Sequence, residues 1–257
     1  MRALARRSAR EERGLFLAEG PQVVREALTW CPDSIVELYV DPSASHRVGE
    51  SLAAARSAGV AIREVDARVL ARISDTRTPQ GVLAVCRRLE RSPEDVLAGR
   101  PRLLVLLAHV RDPGNAGTVV RAADAAGADA VLVSDASVDV YNPKAVRASA
   151  GSLFHLPIVL GLPVSQLLDR LRAAGVRTIA ADGRAESSVH DLDLSVPHAW
   201  IIGNEAWGLP EEVRAACDAA ARVPLYGRAE SLNVAMAATV CLYASASAQR
   251  RSDLDGG

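Results

Sequence analysis

The segment from Ala199 to Ala237 constrains the fold of this chain more than any other. An apolar run, Trp200–Ile202, breaks into the polar turn Gly203-Asn204-Glu205, and Pro210-Glu211-Glu212 then reads as a helix start. A second short strand, expected over Arg222–Leu225, opens into Arg228-Ala229-Glu230-Ser231-Leu232-Asn233. From Leu232 to Ala248 an Ala-rich run reads as a long helix. Strands that end in Gly- and Asn-bearing loops and feed helices are the units of an α/β sheet. Ligands bind where such loops gather at the carboxyl ends of the strands.

The alternation extends upstream. An apolar strand is expected over Leu103–Val110, followed by the loop Arg111-Asp112-Pro113-Gly114-Asn115-Ala116-Gly117 and a helix over Ala116–Ala126 with Arg121 on its second turn. Then come strand Ala130–Ser134, helix Pro143–Leu153, strand Pro157–Leu160, helix Ser165–Ala174 closed by Gly175, and strand Arg177–Ala181. Such repetition implies a parallel sheet with helices on both faces.

The first ninety or so residues alternate on a smaller scale. Strands are expected at Phe16–Ala18, Val36–Val40, Ala61–Val65 and Val82–Cys86, the last after a turn at Thr78–Gly81. Helices are expected at Gln22–Trp30, Val48–Ala58 and Ala67–Ile73. The organisation read from this is a small α/β domain over 1–90, a polar, turn-rich linker over 91–102, a second domain over 103–250 and a disordered tail over 251–257.

Composition narrows the classes. No apolar run is long enough to cross a bilayer, and the arginine-rich start lacks the apolar core of a secretory signal. Cys31, Cys86, Cys217 and Cys241 are widely spaced with no Cys-x-x-Cys pair. They read as reduced thiols of a cytoplasmic protein, not as a disulfide frame or a zinc site, and no metal is expected. The net charge of −1 gives no global attraction to nucleic acid. Locally, Arg2, Arg6, Arg7, Arg10 and Arg13 crowd the N-terminus, and Lys144 is the only lysine. Gly114-Asn115-Ala116-Gly117 replaces the Gly-x-Gly-x-x-Gly of a dinucleotide fold, and no Gly-Lys-Ser/Thr phosphate loop occurs.

Three of these loops share a wording. Asn115, Gly117 and Arg121 after a strand, then Gly203-Asn204-Glu205 with Gly208-Leu209, then Ser231-Leu232-Asn233-Val234, occur in the order and spacing of a known family. From Leu103 to Gln249 the chain resembles the SpoU/TrmH family of S-adenosylmethionine-dependent RNA ribose 2′-O-methyltransferases. The stretch Tyr141–Ser152 looks like that family's linking segment, and the opening Phe16-Leu17 with Glu19-Gly20 resembles its N-terminal substrate-binding domain. The resemblance implies a C-terminal parallel-sheet domain of the SPOUT class tied in a deep trefoil knot. A small α/β, ribosomal-protein-like RNA-binding domain would precede it. It also implies a homodimer, and methyl transfer to structured RNA, with ribosomal RNA preferred over transfer RNA.

Site residues follow from the same resemblance. The cofactor S-adenosylmethionine would lie against Gly203, Asn204, Glu205, Val223 and Leu232, mostly through main-chain groups. Asn115, Arg121, Glu205, Ser231 and Asn233 would form the catalytic set. Arginine stays protonated in proteins, so Arg121 suits a phosphate clamp and stabiliser of developing alkoxide better than a general base. Glu205 could bond a ribose or anchor an arginine, Ser231 and Asn233 also read as helix caps, and Asn115 also reads as a turn residue. Arg6, Arg7, Arg10, Arg13, Lys144 and Arg147 are candidate RNA contacts, with a solvated surface the competing reading. His109 reads as an ordinary strand-end histidine. Trp207 departs from the small residue many relatives carry; it would cover the cofactor or pack between subunits. A catalytically silent RNA-binding or ribosome-assembly factor on the same scaffold is the alternative from another class.

Overall fold

The computed structural model describes residues 1–74 and 79–255. Along the chain run α1 (Arg7–Arg13), β1 (Leu15–Glu19), α2 (Pro21–Trp30), β2 (Ile35–Val40), α3 (Ser45–Ser57), β3 (Ile62–Glu64), α4 (Ala67–Ile73) and β4 (Val82–Arg87). Then follow α5 (Pro93–Ala98), β5 (Leu103–Leu107), α6 (Pro113–Ala126), β6 (Ala130–Ser134), α7 (Pro143–Ala148), β7 (Ile158–Leu162) and α8 (Val164–Ala173). The chain closes with β8 (Arg177–Ala181), β9 (His198–Ile202), α9 (Glu211–Ala215), β10 (Ala219–Ala221) and α10 (Val234–Asp255). Two compact units result: Met1–Leu89 with Asp139–His155, and Glu90–Val138 with Leu156–Gly257.

The first unit is built on a four-stranded sheet of order β1-β4-β2-β3, antiparallel except for the parallel β2–β3 pair. Alternate residues Leu17, Tyr39, Leu83 and Val85 meet Leu4, Leu70 and Ile73 in one apolar cluster, as the period of two in a strand requires. Asp139–His155 belongs to this unit, although alternation alone assigns it to the C-terminal sheet. Aromatic packing explains the difference: Phe16 lies 4.6 Å from the Tyr141 ring and 5.9 Å from Phe154. Helix α7 also stops at Ala148, short of the expected Leu153, because Ala150 and Gly151 take positive φ values of 53° and 107°.

Helix α1, not anticipated from the sequence, explains a second difference. Arg10 is only 2 % exposed. Its guanidinium donates to Asp139 Oδ2 at 2.7 Å and to the carbonyls of Leu4 and Ala5 at 2.8 Å. A buried cation survives only when paired and hydrogen-bonded, and here every contact is internal. Arg10 is therefore a structural ion-pair partner whose guanidinium is turned inward, unlike the exposed surface cation the sequence suggests.

The second unit holds a six-stranded, wholly parallel sheet of order β10-β8-β9-β5-β6-β7. Leu104, Leu106, Ala199 and Ile201 pack with Leu167, Leu168 and Leu171 of α8 and Val213 of α9 on one face. The opposite face carries α6 and α10. There Trp200 Nε1 donates to Ser245 Oγ at 2.8 Å. Covering both faces is what nearly continuous apolar strands demand.

Two expectations shift at the C-terminal end. The strand expected at Arg222–Leu225 lies three residues earlier, where Ala219–Ala221 pairs with Ile179–Ala181. Pro224 has no N–H to give a ladder, and Arg222 bonds instead to the Ser187 carbonyl at 2.9 Å. The tail expected to be disordered from 251 continues α10 to Asp255. Gly256 and Gly257 lie outside the described residues, as does Thr78 of the expected turn.

Candidate methyltransferase site

Four neighbouring strands, β10, β8, β9 and β5, run parallel and so end on one edge of the second unit. Successive loops gather there for a topological reason: β5 and β9 are adjacent, although about ninety residues separate them in sequence. The Ala108 amide continues the ladder by donating to the Ile202 carbonyl at 2.8 Å. Loops 108–112 and 203–209 therefore leave the sheet side by side, at the position where α/β folds bind ligands.

A cavity of about 540 Å³ opens at this edge. Its walls come from Ala181–Arg184 after β8, Ile202–Glu205 and Gly208 after β9, Ala221–Val223 after β10, and Glu230–Leu232, Val234, Ala237 and Cys241 leading into α10. Each of the expected cofactor residues Gly203, Asn204, Glu205, Val223 and Leu232 lines it. The volume falls in the range of nucleoside-sized ligand sites. Gly203 shows how tight the floor is. A Cβ there would stand 2.5 Å from the Gly208 carbonyl carbon and 2.7 Å from the Leu209 nitrogen, both backbone atoms that cannot swing away. Only glycine leaves the loop closed and its main-chain groups facing the space.

Local pairing shapes that loop. The Asn204 amide donates to the Gly208 carbonyl at 2.8 Å, and the Gly208 amide returns the bond at 3.0 Å. The Asn204 side chain, 8 % exposed, accepts from the Ala206 amide and donates to the His109 carbonyl, both at 2.9 Å. Glu205 then reaches across to the start of α6. Its carboxylate accepts from the amides of Arg111 (3.2 Å) and Asp112 (3.0 Å) and from Asn115 Nδ2 at 3.2 Å. Burial alone would raise its pKa, but these donors and its own backbone amide outweigh burial and hold the carboxyl below the usual carboxylate range. Glu205 thus sits at the N-terminus of α6, where the helix dipole favours negative charge. The partners of Glu205 are backbone amides and an asparagine, and not the guanidinium of an arginine it was expected to anchor.

Asn115 joins the third loop. Its Oδ1 accepts from Asn233 Nδ2 at 3.1 Å, while Asn233 Oδ1 accepts from the Ala235 amide at 2.9 Å. Asn233 is therefore the cap of α10, and Ser231 is not. Ser231 is exposed on the cavity wall. Arg121 lies on the third turn of α6, one turn later than expected, because Pro113 begins the helix and Asp112 caps it through the Asn115 amide at 2.8 Å. It is exposed and, among the described residues, makes no hydrogen bond or ion pair.

The cationic candidates of the first unit divide. Arg6 and Arg13 are exposed, as is Arg7, which pairs with Glu11 at 2.7 Å. Arg147 bonds Glu19 at 3.3 Å. Lys144 is exposed and its amide is capped by Asn142.

The sequence reading missed the β8 contribution. Asp182 and Arg184 line the cavity. Burial works against charge on Asp182, but the amide and guanidinium of Arg184, with Arg214, hold its carboxyl below the usual range. The available signal was Asp182-Gly183 directly after an apolar strand, a loop-opening pair like the others. Cys241 on the wall is a buried thiol whose pKa burial pushes up to about 12, which makes it an inert surface and no nucleophile. Among the described residues, no three metal-ligating side chains cluster.

Comparison with known proteins identifies the family. The profile of the SpoU rRNA Methylase family matches residues 102–243, and that of the RNA 2′-O ribose methyltransferase substrate-binding domain matches residues 17–92. The 23S rRNA (guanosine(2553)-2′-O)-methyltransferase RlmP of Bacillus subtilis is 36% identical over 91% of this chain and 89% of its own length. The crystal structure of an AdoMet-bound rRNA methyltransferase from Sinorhizobium meliloti superposes with a TM-score of 0.82 at 33% identity, covering 95% of this chain and 91% of that one. The SpoU methyltransferase AviRb of Streptomyces viridochromogenes, in complex with AdoMet, gives 0.83 at 32% identity, covering 97% and 96%. With its three loop motifs joined at one sheet edge and this similarity along nearly its whole length, the chain belongs to the SpoU rRNA methylase family.

Proposed function

We propose that this protein transfers the methyl group of S-adenosylmethionine to a ribose 2′-hydroxyl of ribosomal RNA. One observation carries the reading: Asn115 hydrogen-bonds both Glu205 and Asn233, which ties the three motif loops together beside a nucleoside-sized cavity. The glycine floor and main-chain rim fit S-adenosylmethionine. When bound, it supplies an electrophilic methyl group on a positively charged sulfur.

The protein's own residues position and manage charge. Ile202, Val223 and Leu232 exclude water from the cavity walls. Ionised Glu205 clamps the α6 entry, so Asn115 is held by bonds on both sides of its amide and offers a fixed edge to a ribose. Arg121, a permanent cation with no internal partner among the described residues, holds an RNA phosphate and stabilises the negative charge that grows on the 2′-oxygen as its proton leaves. Ser231 relays that proton toward a phosphate oxygen. Arg6, Arg7 and Arg13 would add phosphate contacts from the first unit.

Three finer parts belong to this reading. A homodimer is supported by the exposed stripe Met236, Val240 and Tyr243 on α10, at 64 %, 37 % and 48 %; light scattering at twice the 27.1 kDa chain mass would be the result. The knot is supported by the route of the chain, which must return from edge strand β10 to α10 packed on α6. A cytoplasmic setting is supported by four free cysteines.

The deciding experiment is methyl transfer to 23S ribosomal RNA from a strain lacking this gene, with the 2′-O-methyl position mapped. Label at one ribose supports the reading. Tight S-adenosylmethionine binding without transfer to that RNA, but with transfer to transfer RNA, would move the substrate class. No transfer to either would favour the silent RNA-binding factor.

A further inference from the structure

Beside the cavity, but not on its wall, two rings meet. His109 and Trp207 lie with centroids 5.6 Å apart at 54°. Trp207 is 51 % exposed, so a face of its indole is open to a partner. His109 takes φ +66°, a left-handed conformation uncommon for any residue but glycine, though histidine adopts it more readily than most. Such an outlier persists only where its surroundings hold it. Here Asn204 does so, donating to the His109 carbonyl while accepting from the Ala206 amide next to Trp207. One side chain therefore sets the backbone under both rings. The five-residue loop, closed by paired backbone bonds, keeps Trp207 from folding away.

We propose that Trp207 and His109 form a stacking platform for an unpaired base of the RNA substrate, beside the nucleotide whose ribose is methylated. This rests on the function proposed above. The platform's place favours a base of the RNA over the cofactor's adenine. Glu205 and Gly208, on either side of Trp207, line the cavity, whereas neither Trp207 nor His109 does. The same loop reaches the Arg111–Asn115 segment through Glu205. An exposed Arg111 stands in that segment, a cation suited to the phosphate of a stacked nucleotide. Every base offers a π-face, so stacking gives affinity and placement without demanding one base identity.

The test compares wild type with Trp207→Ala, Trp207→Phe and His109→Gly, the last keeping the left-handed backbone while removing a ring. Filter binding and steady-state methyl transfer use 23S ribosomal RNA from a strain lacking the gene. Calorimetry measures S-adenosylmethionine. Trp207→Ala should weaken RNA affinity and raise KM for RNA about tenfold, with kcat changed far less, as loss of one stacking contact implies. Trp207→Phe should stay within about threefold of wild type, and His109→Gly should fall between. Unchanged RNA affinity in Trp207→Ala would overturn the platform. So would a matching loss of S-adenosylmethionine affinity, which would make the indole a cofactor cover, or a change in particle mass, which would place it between subunits. If wild type binds this RNA without methylating it, the proposed function fails while the affinity comparison still judges the platform. Absence of RNA binding by wild type would remove both.

Discussion

The side-chain amide of Asn115 donates to Glu205 Oε1 at 3.2 Å across the boundary of adjacent strands β5 and β9. The carboxylate also holds the amides of Arg111 and Asp112, so one acid from the loop after β9 orders the entry into α6. Asn115 passes that order to Asn233 and the start of α10. Change at any of these positions should be felt at all three loops.

Arg121 is the sharpest test of the assigned chemistry. Arg121→Ala should lower kcat by about 10²–10³, the usual loss when one preorganised contact to developing charge is removed. S-adenosylmethionine affinity should stay within about twofold by calorimetry, since Arg121 lies off the cavity wall. Arg121→Lys should recover little, because a point charge lacks the bidentate fork. Near-normal turnover in the alanine variant would refute the role, and lost cofactor binding would relocate it.

Gly203→Ala should damage the cavity floor. The added methyl would meet Gly208 and Leu209 backbone at 2.5–2.7 Å, and overpacking of this kind costs about 1–3 kcal/mol. Denaturant unfolding should show that loss, with S-adenosylmethionine affinity reduced at least about tenfold because the loop that lines the site must open. Normal affinity in a well-folded variant would mean that the floor does not contact the ligand.

Glu205 sets an acid limit on loop order. Its carboxyl is held below the ordinary value of 4.5, so the folded state favours the ionised form. The stabilisation is complete above that ordinary value and is lost as pH falls through the lower folded value. Hydrogen exchange of the Arg111 and Asp112 amides, followed from pH 6 to about pH 3, should lose protection at the acid end in wild type. Glu205→Gln should show weaker protection with no such acid transition. Identical profiles would dismiss the clamp.

Arg10→Ala should destabilise the first unit by about 3–5 kcal/mol, because Asp139 would be left as a buried charge without its counter-ion. The double variant Arg10→Met with Asp139→Asn should recover a large part of that loss. Thermal unfolding decides between this and a surface role. An alanine variant of normal stability that binds RNA more weakly would restore Arg10 as an RNA contact.

The alternation of apolar strands with Gly- and Asn-bearing loops was legible because it is local. Side-chain period and turn chemistry act within a few residues, and they place the loops after β5 and β9 and the start of α10 without tertiary information. The Arg222–Leu225 expectation failed through the same locality: the strand sits where β8 offers a partner, and Pro224 forbids pairing beyond it. Arginines 10 and 13 look alike in the sequence, yet one is buried against Asp139, 129 positions away, and the other is exposed. Strand order decided the site. By setting β9 between β8 and β5, it brought Glu205 to the N-terminus of α6 and added Asp182 to the cavity wall. Such pairings depend on which distant segments share a low-dielectric, hydrogen-bonded neighbourhood, and only the closed tertiary structure creates one.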